Sequence, residues 1–505
     1  MSFLLYGLAA NPSLPAGLVD RLVLLADADL APFLAGRPDL GRTQALALAR
    51  RVEEAAVPLA YEGRLAADDV DPARWPDAAL ALLDRGAGPV AWARRFATDP
   101  DRARREKLAA CPGLPADVID LLAADPDPGV VAELAWFAPA ETAARLAAHP
   151  HASVRHAAAL NEATPPAVLA ALLTGEGLPP ARHCRVCEQE EVPFVHDPEC
   201  PRPDCALLPG DACDGTHASA LHRLRETALG NPATPAEAAA RFADDPSPAL
   251  RYALAARPDL PARARARLAA DPVPGIRATL AGNPALDEPL LRTMAADPDP
   301  AVRRALAHHP RVPLDVLTAL VRTTKPGNVL LPRIAAASPA ETGALAASPD
   351  PAVRALVAHR RDLPREMRDR LAADPDAKVA AAVAPHPGLT EACLRALVAR
   401  HGVRVLAGVA ANPDAPPALL EDLVRHVPTA RKAVREVARH PAATPEALLA
   451  CLADDRARPL AARHPALPPS VAASLLTDAD EEVREAAAAN PSLPVAAMAD
   501  LLREG

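Results

Sequence analysis

The chain has 505 residues, half of them hydrophobic, with a formal net charge of −9 and only 2% aromatic side chains. This negative charge, without any run of basic residues, argues against nucleic-acid binding, which needs a positive surface to displace counterions from phosphates. No stretch of about 18 apolar residues occurs, so we expect no membrane-spanning helix. The 59 prolines and 22 glycines stay below the share of roughly 25–30% that indicates disorder.

The beginning of the chain predicts a helix rather than a targeting segment. Residues 1–8 are apolar but lack the basic region that begins a secretory signal peptide. We therefore expect this segment to be the first helix of the fold and the protein to be cytoplasmic.

A proline-marked phrase then repeats along the chain. Asn-Pro-Ser-Leu-Pro begins at Asn11 and recurs letter for letter at Asn490, and looser copies place prolines at 26-residue intervals: Pro232, Pro258, Pro284 and Pro310. A fixed period between 20 and 50 residues indicates stacked supersecondary units, each in contact with its neighbours.

The segment 297–322 illustrates one repeat. Asp297 is a good N-cap residue and Pro298 suits the first helical position, which predicts a short first helix. Pro313 then opens a second helix with an apolar stripe formed by Val316, Leu317, Leu320 and Val321. Elsewhere, Thr234 and Glu237 have the spacing of a capping box. No repeat has a strand pattern, so we predict an all-α solenoid of two-helix repeats of about 26 residues.

Arginines recur in phase with the repeat, at Arg251, Arg277, Arg303 and Arg354. They could form a track for an anionic ligand along the array. They could also form an Arg–Asp ladder between adjacent repeats with Asp245, Asp271 and Asp297. We favour the ladder because both charges recur with the same period.

A second polar position precedes the turn proline of each repeat, and we call it the turn slot. Asparagine, arginine or histidine occupies it, and these residues suit helix C-termini. Its members include Asn11, Asn231, Arg257, Asn283, His309, His386, Asn412, His440, His464 and Asn490. The Asp-Pro-Asp phrases that start at Asp125, Asp297 and Asp374 could bind a metal, but we interpret them as helix N-caps.

The repeat pattern stops between residues 175 and 222. We predict three parts: degenerate helical repeats over 1–174, a Cys-rich insert over 175–222, and regular repeats over 223–505. Five of the eight cysteines fall in the insert, whereas Cys111, Cys393 and Cys451 lie in repeats at alanine-like positions and should be buried.

The insert has too few apolar residues for a core of its own and therefore needs a cross-link. Disulfides are disfavoured by an odd cysteine count and a reducing compartment. Cysteines three apart are the usual thiolate knuckle for a metal. The candidate ligands are Cys184, Cys187, Cys200, Cys205, Cys213 and His217. Zinc and an iron–sulphur cluster both suit such ligands.

The repeats resemble the leucine-rich repeat variant family through Asp-Pro-Asp-Pro-Ala-Val-Arg at residues 297–303 and Ser-Pro-Asp-Pro-Ala-Val-Arg at residues 348–354. This resemblance implies a right-handed superhelix of alternating α- and 3-10-like helices and no catalytic activity. Some members of that family carry a four-iron, four-sulphur module, which favours a 4Fe–4S cluster here. That module is expected before the repeats, whereas about 180 residues precede it in this chain.

Residues 213–217, Cys-Asp-Gly-Thr-His, are similar to the Cys-Asp-Gly-Ser/Thr-His motif of two-iron, two-sulphur proteins ligated by three cysteines and one histidine. The chain lacks that family's Cys-x-Cys pair. The similarity marks Cys213 and His217 as candidate ligands.

No phosphate-binding, dinucleotide-binding or hydrolase motif is present, so we expect a non-enzymatic scaffold that binds a protein partner and carries the metal site. An alternative is an iron–sulphur protein for electron transfer or oxidant sensing. A helical-repeat enzyme acting on DNA bases or a bound pigment is disfavoured by the acidic, aromatic-poor composition.

Overall fold

The computed structural model describes residues 2–185, 187, 217–425 and 430–503. Within these ranges the protein is all-helical, and extended pairing is limited to one isolated bridge between His151 and His183. This confirms the predicted all-α fold of helical repeats. Residues 2–10 are helical, as predicted from the start of the chain.

The helices are short, as the proline punctuation predicts. Up to the Cys-rich segment they are α1 Ser2–Ala10, α2 Ala16–Leu25, α3 Ala31–Ala35, α4 Arg42–Arg51, α5 Ala56–Tyr61, α6 Pro76–Asp84, α7 Val90–Phe96, α8 Arg102–Ala109, α9 Ala116–Ala123, α10 Pro128–Phe137, α11 Ala140–Leu146, α12 Ala152–Leu160 and α13 Pro166–Thr174.

After the Cys-rich segment the helices are again short. They are α14 Ala218–Gly230, α15 Ala236–Ala240, α16 Pro248–Ala255, α17 Ala262–Ala269, α18 Pro274–Ala281, α19 Glu288–Met294, α20 Pro300–Ala307, α21 Leu314–Thr323, α22 Pro332–Ala335, α23 Pro339–Ala346, α24 Pro351–Ala358, α25 Arg365–Ala372, α26 Ala377–Val383, α27 Glu391–His401, α28 Val403–Ala410, α29 Pro417–Val424, α30 Arg431–Arg439, α31 Pro445–Cys451, α32 Arg458–Arg463, α33 Pro469–Ser474, α34 Glu481–Ala488 and α35 Val495–Leu501.

Regular alternation of α- and 3-10 helices, which the family resemblance implies, is not observed. In the described part of the chain, 3-10 helices occur at Glu53–Ala55, Ala67–Asp69, Arg241–Asp244 and Leu475–Thr477. Most repeats have two α-helices, because alanine-rich segments with a proline at the first helical position favour α geometry.

Contacts divide the chain into two compact units. One unit contains Met1–Asp69 together with Gly327–Gly505, and the other contains Val70–Pro326. The three-part organisation predicted from the repeat pattern stays a prediction, because these units reflect contacts rather than the type of repeat.

Helix α20 shows how an Asp-Pro-Asp-Pro phrase starts a helix. Asp299, and not Asp297, is the N-cap: its carboxylate accepts the N–H of Ala301 at 2.7 Å, and Pro300 is the first helical residue. The predicted N-cap was therefore two residues too early. The carboxylate of Asp297 is instead engaged by the guanidinium of Arg277 at 2.7 Å.

The same correction applies to the other two phrases. The phrases that start at Asp125 and Asp374 do cap helices as predicted, but the carboxylates of Asp125 and Asp374 themselves pair with arginines of the preceding repeat. The second aspartate of each phrase, Asp127 or Asp376, caps the helix.

The predicted capping box at Thr234 is also wrong. Helix α15 begins after Pro235 without a side-chain cap, and the Thr234 hydroxyl donates to the carbonyl oxygen of Ala228 at 2.6 Å. Thr234 is buried, so its hydroxyl satisfies the end of helix α14 rather than the start of α15. The second helix of the specimen repeat is confirmed: α21 follows Pro313 and buries the predicted apolar stripe.

The Arg–Asp ladder is present. Arg251 pairs with Asp271, Arg277 with Asp297 and Arg354 with Asp374, in each case with two hydrogen bonds between guanidinium and carboxylate. The partner always lies 20 residues later, in the next repeat.

Two predicted members of the ladder depart from this pattern. Asp245 accepts the N–H of Ser247. Arg303 donates to the carbonyl oxygens of Asp297 and Pro298, as Arg251 does to those of Asp245 and Pro246, but Thr323 stands where its aspartate partner would be.

The side chain at the turn slot forms hydrogen bonds between each repeat and the one before it. Asn283 Nδ2 donates to the carbonyl oxygens of Ala255 and Arg257, at 3.0 and 2.6 Å, and its Oδ1 accepts the N–H of Ala285. Three histidines at this slot, His309, His440 and His464, contact the carbonyl oxygen of the preceding slot residue, as His309 Nε2 does with Asn283 at 2.8 Å. The predicted structural role is confirmed, but the carbonyls belong to the neighbouring repeat rather than to the residue's own helix.

Within the first unit, the N-terminal repeat stacks on the C-terminal one. Asn11 Nδ2 donates to the carbonyl oxygens of Ala488 and Asn490, at 3.0 and 2.7 Å. These are the contacts that one repeat makes with its predecessor elsewhere, and helix α1 packs against helix α34. Asn490 therefore holds the position of the slot residue that precedes Asn11.

Candidate metal centre

The segment that leads into the Cys-rich region is anchored beside helix α12. The backbone N–H groups of Arg182 and His183 point to the carbonyl oxygen of Pro150, at 2.8 and 3.3 Å. The N–H of Ala152 in turn donates to the carbonyl oxygen of His183 at 2.9 Å. This pairing fixes the position of the residue that follows, Cys184.

Arg155 on helix α12 reinforces the anchor. It occupies the ladder position, yet no aspartate lies 20 residues later, where the chain has Gly175. The Arg155 guanidinium instead donates to the carbonyl oxygens of Pro179 at 2.7 Å and Pro180 at 3.3 Å. The side chain is buried, and this burial lowers the pKa of Arg155.

Three of the predicted ligands converge next to this anchor. The ligand atoms of Cys184, Cys187 and His217 all lie within 4.8 Å of one another. Cys184 and His217 are buried and Cys187 is exposed. The Cys187 Sγ lies 3.2 Å from the backbone N of Cys184, so this N–H points at the sulphur. The Cys187 Sγ also lies 3.2 Å from the carbonyl oxygen of Cys184, so both contacts hold the two cysteines close together.

His217 is held in an unusual backbone conformation. It precedes helix α14 with φ of 57°, the left-handed region, and is the one non-glycine residue with positive φ in the described ranges. This conformation costs energy for a side chain with a Cβ and is typical of functional positions. It places a buried imidazole against the two cysteines rather than in the usual capping geometry.

The remaining predicted ligands, Cys200, Cys205 and Cys213, lie outside the described residues. The assignment of all six ligands therefore stays a prediction. Of the cysteines within repeats, Cys111 and Cys451 are buried as predicted, and burial raises the pKa of both thiols to about 12. Cys393 is only half-buried.

The repeat array continues across the Cys-rich segment. Helix α14 packs against α12 and α13, and Asn231 Nδ2 donates to the carbonyl oxygens of Ala159 at 2.8 Å and Asn161 at 3.0 Å. These two slot residues are 70 positions apart in sequence, yet they make the same contact as slot residues 26 apart. The chain thus leaves the array after α13 and returns in register at α14.

Comparisons with known proteins concern the repeats. The family profile described as Leucine rich repeat variant matches residues 351–376, which is the length of one repeat. No curated protein matches the chain. The metal module implied by the family resemblance is not part of the matched segment.

Several solved structures are similar to this chain at low identity. One is a leucine-rich repeat variant with a novel repetitive structural motif, with 19% identity, 54% of this chain and 87% of that chain covered, and a TM-score of 0.30. Another is an engineered protein, with 16% identity, coverages of 86% and 98%, and a TM-score of 0.16. A third is the Pds5–Scc1 complex, with 11% identity, coverages of 93% and 61%, and a TM-score of 0.13. With TM-scores this low, these similarities support no inference about function.

Two further features bear on function. None of the helices in the described part of the chain is long and apolar enough to cross a bilayer. A cavity of about 840 Å³ in the first unit is lined by basic residues that the sequence analysis missed. Three of them, Lys378, Arg404 and Lys432, each lie eight positions before a turn-slot residue, so an alignment of the repeats would have revealed them.

Proposed function

We propose that this protein is a non-enzymatic helical-repeat scaffold that binds a protein partner and holds a metal where the repeat is interrupted. The observation that carries the metal site is the convergence of Cys184, Cys187 and His217 within 4.8 Å. The scaffold role is supported by stacked helical repeats throughout the described residues and by the absence of catalytic motifs from the sequence. We place the protein in the cytoplasm, where cysteines stay reduced and available as ligands.

The donor set fits a tetrahedral metal. Around an ion with Zn–S bonds of about 2.3 Å and Zn–N bonds of about 2.0 Å, ligand atoms lie roughly 3.5–3.8 Å apart. The observed limit of 4.8 Å is compatible with this spacing after a small adjustment on binding. A fourth ligand would come from Cys200, Cys205 or Cys213, and three cysteines with one histidine suit either zinc or an iron–sulphur centre.

The metal would cross-link the Cys-rich segment. Its ligands come from both ends of the Cys-rich segment, since Cys184 lies near the start of that segment and His217 near its end. Metal binding would therefore close a loop that has little apolar surface to bury, which is how structural metal sites stabilise small folds.

Anaerobic purification followed by metal analysis and visible absorption tests this proposal. We expect one metal centre per chain in the wild-type protein and in Cys393→Ser, which alters a cysteine inside a repeat. We expect Cys184→Ser and His217→Ala to lose the metal, while far-ultraviolet circular dichroism keeps most of its helical signal.

Two results would contradict parts of the proposal. A metal-free wild-type protein after anaerobic purification would remove the metal site. A loss of helicity across the whole chain in Cys184→Ser would mean that the repeats depend on the metal and are not an independent scaffold.

The same measurement separates the alternative function, an iron–sulphur protein for electron transfer or oxidant sensing. The exposed position of Cys187 favours it, because oxidants and redox partners need access to the centre. Visible absorption that bleaches reversibly with dithionite would support the redox role. A colourless protein with one zinc per chain would exclude it.

A further inference from the structure

A basic groove lies on the first unit, on helices that follow one another in the array. The cavity of about 840 Å³ is bordered by α26, α28 and α30, which provide Lys378, Arg404 and Lys432. Helix α28 packs against both α26 and α30. The three basic residues hold the same position in three consecutive repeats, so they form a row across the helices.

The cations of this row have no partners among the described carboxylates. Many arginines of the repeats pair with carboxylates, as Arg354 does with Asp374 at 2.7 Å. Lys378, Arg404 and Lys432 are exposed and make no ion pair with a described residue. The row therefore gives this face a local positive charge, although the net charge of the protein is −9.

Acidic groups at the groove do not cancel the row. Asp376 and Glu436 also line the cavity. The Asp376 carboxylate accepts the N–H of Lys378 at 2.8 Å as the helix N-cap, and Glu436 lies 3.6 Å from Arg439 outside the groove. Arg361 adds a fourth cation to the lining.

His386 gives the groove a buried polar atom without a partner. It occupies the turn slot and lines the cavity, and its buried Nδ1 has no hydrogen-bond partner. In other slot histidines this nitrogen accepts a backbone N–H, as His440 does from Ala442. At His386 that N–H, from Gly388, is taken by Asp414. Burial and the nearby Arg361 lower the pKa of His386 to about 4.

The floor of the groove is suited to an extended backbone. Ala381, Ala407 and Gly408 are among the residues that line it, and their small side chains leave room for a peptide backbone there. Packed helices lie about 8–10 Å apart, and an extended peptide in the polyproline II conformation rises about 3.1 Å per residue with three residues per turn, so every third side chain lies on the same face. A carboxylate at every third residue of such a peptide would therefore match successive cations of the row.

We propose that this groove binds an extended acidic peptide segment of a partner protein through Lys378, Arg404 and Lys432. This rests on the proposed scaffold function and names the chemistry of the partner that it recognises. The uncompensated charges supply the attraction, and the alanine and glycine floor admits the peptide backbone. Binding of this kind is strongly weakened by salt, since exposed charges are screened within about 10 Å at 0.1 M ionic strength.

Fluorescence anisotropy on the full-length protein tests the groove, with a labelled twelve-residue peptide that repeats Glu-Gly-Ser. We expect binding at low salt that weakens by about tenfold in K378A/R404A/K432A, because each exposed charge pair contributes roughly a factor of up to five. R50A/R304A/R463A is the matched control: it removes three exposed arginines that lie outside the groove and should bind like the wild type. Ala411→Leu adds bulk to the groove lining without changing charge and should also weaken binding.

Three results would overturn the proposal. The first is that the peptide does not bind the wild-type protein, and the second is that both triple variants weaken binding equally. The third is that a single-stranded oligonucleotide or inorganic pyrophosphate binds the same groove more tightly than the peptide does. Metal content measured on the same samples separates this proposal from the scaffold function. A protein that carries its metal but binds no acidic peptide would contradict the groove alone.

Discussion

Gly7→Ala tests the docking of the N-terminal helix on the C-terminal repeat. Gly7 lies inside helix α1, where α1 packs against α34. A Cβ at this position would lie 2.1 Å from the carbonyl oxygen of Glu485 and 2.8 Å from the Cβ of Ala488. Non-bonded heavy atoms prefer separations of about 3.5 Å, so α1 would have to move away from α34 by about 1 Å or more.

Two opposing effects set the magnitude. Alanine is a better helix former than glycine, by about 1 kcal/mol in a helix interior. Overpacking of a tight contact costs about 1–3 kcal/mol, and here the obstacle includes a backbone carbonyl that cannot rotate out of the way. The displacement also strains the two hydrogen bonds of Asn11 to this repeat. The strain in these hydrogen bonds costs about 1 kcal/mol and offsets the gain in helix propensity, so we expect the free energy of unfolding to fall by about 1–3 kcal/mol.

This effect can be measured by urea denaturation monitored by circular dichroism and by hydrogen exchange of residues 2–10. Gly17→Ala is the matched control, because Gly17 is exposed on helix α2 and a Cβ there meets nothing within 4 Å. The control should be neutral or slightly stabilising, with unchanged exchange in α1. If Gly7→Ala is as stable as the control and exchanges no faster in residues 2–10, the close packing of α1 on α34 is refuted.

Asn231→Ala removes two hydrogen bonds to buried carbonyls across the interruption and should cost about 2–4 kcal/mol of stability in urea denaturation. Asn283→Ala should cost as much at a regular junction, but only Asn231→Ala should also lower metal content. The pairing with Arg277 lowers the pKa of Asp297, so its contribution is present above the ordinary pKa of 3.8 and is lost as pH falls through the lowered value. Thermal melts between about pH 2 and 5 should therefore show a shallower acid decline in Asp297→Asn, and an unchanged decline would contradict the ladder. The pKa of His386 is lowered to about 4 from 6.5, so stability should decrease as pH falls from about 6.5 to 4, and His386→Asn should remove that decrease because asparagine serves the same slot elsewhere.

The periodic part of the structure could be predicted from the sequence because its signals recur in phase. The 26-residue proline spacing predicted stacked two-helix repeats, and the coincident recurrence of Arg277 and Asp297 predicted the ladder between them. Which of two aspartates caps a helix could not be predicted in the same way. Asp297 and Asp299 are equally good capping residues by residue type. Asp299 caps the helix because the Asp297 carboxylate pairs with the Arg277 guanidinium of the previous repeat.

Features that join distant parts of the chain were beyond sequence reasoning. Nothing local at Asn11 indicates that its partners are Ala488 and Asn490, since the contact spans almost the full chain. The convergence of Cys184 and Cys187 with His217 was predicted only as a set of candidates. Cysteine spacing suggests a knuckle, but the contribution of His217 depends on its left-handed backbone and on the return of the chain at helix α14.

The position of the interruption explains how the array tolerates it. In a regular repeat, a short turn joins the second helix to the first helix of the following repeat, as between α17 and α18. The aspartate of that turn, Asp271, pairs with Arg251 of the preceding repeat. The Cys-rich segment replaces this turn between α13 and α14. Arg155 loses its carboxylate there and is satisfied by the carbonyl oxygens of Pro179 and Pro180 instead. The carbonyl contacts of the turn slot lie on a different turn, and Asn231 still makes them after the interruption. The helices therefore keep their register, and the longer turn can hold a site without disturbing the array.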